Sequence, residues 1–138
     1  MADMALNMNS KGIRSDGSSY RVLIVDDSST MRKILISMLK SELYEICGEA
    51  GDGEQAYEMY KELKPDVVTL DINMPKVTGV EVLKKIISFD PSAKIVMLTS
   101  EGQKQTVFEA IKIGAKNYVV KPPEKDDLLK KVEEVLKA

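Results

Sequence analysis

Two hydrophobic periods alternate along the chain from Tyr20 onward. Short β-branched runs, nearly continuous in apolar residues, give way to longer stretches in which apolar residues recur every three or four positions. That alternation is the mark of βα units laid around a parallel sheet. The first run, Arg21-Val22-Leu23-Ile24-Val25, reads as a strand covered on both faces, and it ends in Asp26-Asp27. Met31, Ile34, Leu35, Met38 and Leu39 then form a helix face wide enough to cover a sheet, with Ser28 or Ser29 available to cap it. The second unit is a weaker strand over 44–50 with the look of an edge, a Gly51-Asp52-Gly53 turn, and a helix carrying Ala56, Met59, Tyr60 and Leu63 that Pro65 stops.

The third unit runs from Asp66 to Asp71, passes through Ile72-Asn73-Met74-Pro75 to Gly79, and continues as a helix with Val80, Leu83, Ile86 and Ile87 on one face. The fourth is a strand over 94–99 ending in Thr99, followed by a helix bearing Val107, Ala110 and Ile111 and closed by Gly114. The fifth strand, over 117–121, ends in Lys121; two prolines separate it from a last helix with Leu128, Leu129, Val132, Val135 and Leu136 inward. Residues 1–19 show no period and read as a flexible leader, a natural tail or an expression remnant, ahead of one domain over 20–138.

Composition narrows the function classes. With 138 residues, 43% apolar and 30% charged, the chain can bury one core and has no room for a second catalytic domain. Twenty basic against 22 acidic side chains leave a net charge of -2, which is not the footprint of a nucleic-acid binder. No apolar run reaches the roughly 18–20 residues of a membrane span, and the N-terminus lacks a signal-peptide core, so the reading places the protein in the cytoplasm. The absence of histidine removes Ser-His and Cys-His catalysis and most zinc chemistry, and Cys47 alone reads as a small buried, inert residue.

In open α/β sheets ligands bind outside the carboxyl ends of the strands, so the residues at those ends should converge. Asp26, Asp27 and Asp71 would then crowd three carboxylates, which must either raise one another's pKa or share a cation. A hard divalent ion is the simpler answer, and a few oxygen ligands with room for water suit Mg²⁺. Lys121 and Thr99 supply the ammonium and hydroxyl that a transferred phosphoryl group needs for charge balance and orientation. Asp71 is then the nucleophile, since a carboxylate can form an aspartyl-phosphate. Taken singly, each of these residues has an ordinary reading, as a solvated loop acid, a structural threonine or a loop lysine. Only the joint pattern carries the chemistry.

Four motifs stand in order: Val25-Asp26-Asp27-Ser28; Leu70-Asp71-Ile72-Asn73-Met74-Pro75 with Gly79; Leu98-Thr99-Ser100; and Gly114-Ala115 leading into Val120-Lys121-Pro122. Together they resemble the receiver domain of two-component response regulators over nearly everything after the leader, most closely the single-domain chemotaxis members. The resemblance implies a flavodoxin-like, doubly wound five-stranded parallel sheet of order 2-1-3-4-5 with five helices. It implies that Asp71 accepts a phosphoryl group from a sensor histidine kinase, with Thr99 and Lys121 contacting that group. Asp27, Asp71 and the backbone carbonyl of Asn73 would hold Mg²⁺, and Asp26 would support the site chiefly through water. Tyr118 would turn into the space Thr99 vacates, a bistable switch. The Lys121-Pro122 bond would be cis, and Asn73 and Glu101 would modulate loss of the phosphoryl group.

As partners the resemblance implies the kinase, a phosphorylation-dependent target such as the flagellar motor switch protein, and a phosphatase; the chain itself is expected to be a monomer and not a classical enzyme. Two other readings keep the same site: a phosphorelay intermediate that hands its phosphoryl group to another histidine protein, and a receiver cut from a longer regulator. The last helix running to Ala138 with no linker after it weighs against the second. Gly51-Asp52-Gly53-Glu54-Gln55-Ala56 fits a dinucleotide-binding G-x-G-x-x-A, but it follows the second strand and sets Asp52 and Glu54 where a pyrophosphate would sit. No G-x-x-x-x-G-K-[ST] is present. Hydrolases with an aspartate nucleophile carry D-x-D at that position, whereas the acids here stand in Asp-Asp-Ser and Asp-Ile-Asn-Met-Pro.

Overall fold

The structure, a computed structural model, describes residues 10–138. Five βα units follow one another: β1 (Arg21–Val25), α1 (Ser29–Lys40), β2 (Glu45–Ala50), α2 (Gly53–Leu63), β3 (Val67–Asp71), α3 (Gly79–Phe89), β4 (Ile95–Thr99), α4 (Lys104–Ile113), β5 (Asn117–Val120) and α5 (Lys125–Lys137). The strands form one sheet in the order β2-β1-β3-β4-β5, and every neighbouring pair is parallel. This is the expected flavodoxin-like winding, with β2 at one edge as its weak pattern suggested.

Alternate strand residues feed two separate cores, which is why the central runs are apolar throughout. Leu23, Val25, Val68, Leu70, Ile95 and Met97 pack with Ala56 and Tyr60 of α2, Val82, Leu83 and Ile86 of α3, and Ala110 of α4. On the other face Val22, Ile24, Val67, Val96, Leu98 and Val119 meet Leu35 and Leu39 of α1 and Leu128, Val132 and Val135 of α5. β3 and β4 are buried at every position. The cap of α1 is Ser28, whose hydroxyl accepts from the Met31 amide; Asp52 and Thr78 cap α2 and α3 the same way. No helix among the described residues is long and apolar enough to cross a membrane.

Three sequence expectations are corrected. Ile34 and Ile111, assigned to inward faces, are 39% and 41% exposed, because the buried stripe of each helix is narrower than its apolar pattern. Cys47 is half-buried rather than buried; burial nonetheless pushes its thiol pKa up, which keeps it a poor nucleophile. The segment 10–19, read as part of a flexible leader, is folded against the domain. Ile13 bridges Ser19, Arg14 pairs with Asp66 and lies 4.6 Å over the Tyr20 ring, and Lys11 pairs with Glu133 of α5 at 3.0 Å. Gly12 donates its amide to the Glu42 carbonyl so closely that a β-carbon would collide with the Glu42–Tyr44 backbone. Residues 1–9, the rest of that leader, lie outside the described residues.

Candidate functional site

The carboxyl edge of the sheet gathers the chemistry-bearing side chains that the strand ends carry. Asp26 follows β1 and is fully buried; Asp71 ends β3 and is 2% exposed; Asp27 beside them is exposed. Carboxylate oxygens of all three lie within 4.8 Å of one another. Lys121, just past β5, spans the cluster. Its ammonium donates to Asp26 Oδ2 at 2.9 Å and lies 3.1 Å from Asp71 Oδ1. Asp26 Oδ1 also accepts the Ser28 amide at 2.9 Å, and Asp71 Oδ1 accepts the Asn73 amide at 3.1 Å. The Lys121-Pro122 peptide bond is cis, as the resemblance implied.

The loop after β3 folds back tightly enough to bring Asn73 to the rim. The Gly79 amide donates to the Ile72 carbonyl at 2.9 Å, and a β-carbon at position 79 would strike the Asp71 carbonyl oxygen and Ile72 Cα. Only glycine fits this approach. On the opposite side Arg32 of α1 donates to the Asp26 backbone carbonyl at 2.7 Å and pairs with Glu49 at 3.0 Å, fixing the turn that carries both aspartates.

The electrostatics follow from this crowding. Burial, and then the neighbouring Asp26 carboxylate, push the Asp71 pKa up to about 6 against the pull of Lys121 and the Asn73 amide. Burial alone would depress Lys121, but the Asp26 and Asp71 carboxylates outweigh it and hold its pKa above the ordinary value. Three carboxylates thus face one ammonium. An all-oxygen donor set with excess negative charge and one exposed side is the environment that a hard divalent cation fits.

Thr99, ending β4, is 2% exposed, and its hydroxyl points to neither Asp71 nor Lys121. It donates to Gln103 Oε1 at 3.0 Å, with the Ser100 carbonyl at 3.2 Å. Gln103 Oε1 also accepts the Ser100 amide at 2.9 Å and Asn73 Nδ2 at 3.0 Å, while Gln103 Nε2 donates to Asn73 Oδ1 at 2.8 Å. Tyr118 of β5 is turned outward, 39% exposed, with Lys131 Nζ 4.9 Å from its ring. It borders a groove of about 610 Å³ shared with Thr99, Gln103, Val107, Phe108 and Ile111. Glu101 stands exposed on the loop after β4.

The structure therefore joins Asp26, Asp27, Asp71 and Lys121 in one cluster, links Thr99 to Asn73 through Gln103, and leaves Tyr118 and Glu101 on the outside. Sequence reasoning missed Arg32 and Gln103. The only local signal at Gln103 was a poor capping residue at the start of a helix, where Ser, Thr, Asp or Asn is usual.

A doubly wound parallel sheet with acids, a lysine and a hydroxyl collected at its carboxyl edge is the arrangement expected of a receiver-type domain. The chain belongs to the response regulator receiver domain family, whose model matches residues 22–133. It is 51% identical to the chemotaxis protein CheY of Thermotoga maritima over 102 residues, 74% of this chain and 85% of that protein. It is 43% identical to CheY of Treponema pallidum over 128 residues, 91% of this chain and 89% of that one. Among solved structures, the CheX-CheY-BeF3-Mg+2 complex of Borrelia burgdorferi superposes with a TM-score of 0.87 at 40% identity, covering 91% of this chain and 96% of that chain. The chain is a receiver domain homologous to CheY, a signalling protein of chemotaxis type rather than a classical enzyme.

Proposed function

We propose that this chain is the receiver of a chemotaxis-type response regulator, phosphorylated on Asp71. The observation that carries the reading is the cluster itself: buried Asp71 beside Asp26 and Asp27, with Lys121 reaching two of the three carboxylates. Asp71 Oδ1 already takes the lysine and the Asn73 amide, so Oδ2 is the oxygen for attack. It bonds to the phosphorus of the kinase's phosphohistidine, the P–N bond breaks, and the electron pair leaves with the imidazole. Lys121 then passes from Asp71 to a phosphoryl oxygen while it keeps Asp26. Thr99 turns its hydroxyl to another phosphoryl oxygen, and Tyr118 follows inward. Asn73 at the rim, and Glu101 on the exposed loop after β4, govern the approach of the water that later removes the group.

Asp27, Asp71 and the Asn73 carbonyl would hold Mg²⁺, with Asp26 behind them through water; when bound, the ion neutralises the crowded carboxylates and the charge on the transferred group. The partners in this reading are a histidine kinase and a target, such as the flagellar motor switch, that reads the face around Tyr118. The CheX assembly of the B. burgdorferi relative supports a further partner, which we take to be a phosphatase. The site of action is the cytoplasm, where such a kinase and target meet.

The test is intact mass after incubation with acetyl phosphate and Mg²⁺. A gain of one phosphoryl group in the wild type, lost with chelator and lost in Asp71→Asn, is expected. An equal gain in Asp71→Asn would refute the assignment of the acceptor.

A further inference from the structure

We propose that Gln103 is a positioning residue that latches the unphosphorylated state, holding the Thr99 hydroxyl off the Asp71 pocket and tying it to Asn73. The inference rests on the receiver reading of the site and extends it to a residue outside the acid cluster. Gln103 occupies the cap position of α4, yet its side chain makes no capping bond there. It reaches back instead. Its carbonyl oxygen collects three donors, from Thr99, Ser100 and Asn73, at 3.0, 2.9 and 3.0 Å, and its amide returns a bond to Asn73 Oδ1 at 2.8 Å. One carboxamide thus bridges the loop after β3 and the loop after β4, 30 residues apart in sequence.

This geometry has an energetic direction. Thr99 is 2% exposed, so a hydroxyl that loses Gln103 is left with the longer bond to the adjacent Ser100 carbonyl at 3.2 Å, and under-made bonding of a buried polar group is penalised more heavily than a formed bond is rewarded. In the unphosphorylated chain the hydroxyl is therefore held where Gln103 holds it. To reach a phosphoryl oxygen on Asp71 it must leave Gln103, and that lost bond opposes the switch. Gln103 keeps its other two donors afterwards, so the latch opens at one bond rather than three. Removing the acceptor raises the unlatched population by the worth of one neutral hydrogen bond, about 3- to 10-fold. The same substitution frees the Asn73 carboxamide, two residues past the acceptor, from its reciprocal pair.

The experiment is a titration with beryllofluoride, a phosphoryl mimic, in saturating Mg²⁺, followed by ¹⁹F NMR of the bound fluorines. It compares the wild type, Gln103→Met, and both again in a Thr99→Val background. Gln103→Met keeps the length and removes every hydrogen bond; Gln103→Ala, run beside it, guards against misfolding of either one, and both are checked by thermal unfolding. Beryllofluoride is expected to bind Gln103→Met about 3- to 10-fold more tightly than wild type. In Thr99→Val the glutamine has no hydroxyl to hold, and the same substitution should change nothing. Unchanged or weaker binding in Gln103→Met overturns the latch, and so does an equal gain with and without the Thr99 hydroxyl, which a merely structural tie between loops would give. Wild-type protein that takes up no beryllofluoride would overturn the receiver reading itself, an outcome separate from a latch that fails in a protein that binds.

Discussion

Replacing the proposed phosphoryl acceptor by its neutral isostere should make the protein more stable, and the size of the gain can be worked from the site. Burial and Asp26 raise the Asp71 pKa from 3.8 to about 6. Between those two values the folded chain binds the more protons, so stability falls as pH rises through this window, and above pH 6 the whole penalty is present. About two pH units at 1.36 kcal/mol each set a ceiling near 3 kcal/mol for keeping Asp71 ionised in the fold. Asp71→Asn removes that charge with the same shape. Its Oδ1 still accepts from the Asn73 amide and Lys121, but its new NH₂ group has no carbonyl acceptor assigned to it, so the net gain is expected at about 1–2 kcal/mol. For a domain of this size that is a rise in Tm of roughly 3–8 °C. The chain has no Trp, so the assay is thermal and urea unfolding by far-UV circular dichroism, in chelator, at pH 7.5 and pH 4.5. At pH 4.5 the wild-type carboxyl is already protonated in the fold, and the advantage should nearly vanish. A variant no more stable than wild type at pH 7.5, or one equally favoured at both pH values, would refute the charge-crowding argument.

Other perturbations follow from the same contacts. Lys121→Met leaves the buried Asp26 and Asp71 carboxylates without their shared ammonium, so metal-free stability at pH 7.5 should drop by about 2–3 kcal/mol and Mg²⁺ should restore much of it, as a melt with and without the ion would read. Gly79→Ala drives a methyl into the Asp71 carbonyl; a loss of about 1–3 kcal/mol in urea unfolding is expected, together with slower phosphoryl uptake by intact mass under conditions where the variant is fully folded. Arg14→Ala breaks both the ion pair to Asp66 and the stack on Tyr20, and hydrogen exchange over 10–19 should accelerate while the site end of the sheet stays protected.

The winding was legible because each unit repeats one simple contrast, a continuous apolar strand against a helix with one buried stripe. β3 and α5 show it plainly: every residue of β3 is buried, and all five apolar residues assigned inward on α5 are buried. The acid cluster was legible for a topological reason, since parallel strands put their last residues on one edge whatever their separation in sequence. Where tertiary contacts alone decide, the pattern is silent. Residues 10–19 are polar and aperiodic, and their order comes from single long-range pairs, Lys11 with Glu133 and Arg14 with Asp66, plus one glycine in close backbone contact. Gln103 offers no spacing signal either, because its partner Asn73 lies in another loop. Ile34 and Ile111 show the opposite failure, apolar residues in correct helical register that nonetheless stand 39% and 41% exposed.

The distribution of contacts around Lys121 bears on how one site can be both stable and responsive. Its two carboxylate partners are not equivalent. Asp26 is fully buried and anchored by the Ser28 amide, while Asp71 holds the lysine through the same oxygen that takes the Asn73 amide. A lysine with a fixed partner and an exchangeable one can transfer half its bonding to a new anion without becoming a buried, unpaired charge, the change that is most destabilising in a protein interior. Thr99 is built the opposite way, since its hydroxyl is held by Gln103 at 3.0 Å and the adjacent Ser100 carbonyl at 3.2 Å, and must abandon the Gln103 bond entirely. In the proposed reaction, charge neutralisation by Lys121 is therefore available at little conformational expense, and the threshold for the response lies with the hydroxyl. The resting balance of the switch should accordingly be tunable at the Thr99–Gln103 contact without disturbing the acids that carry the chemistry.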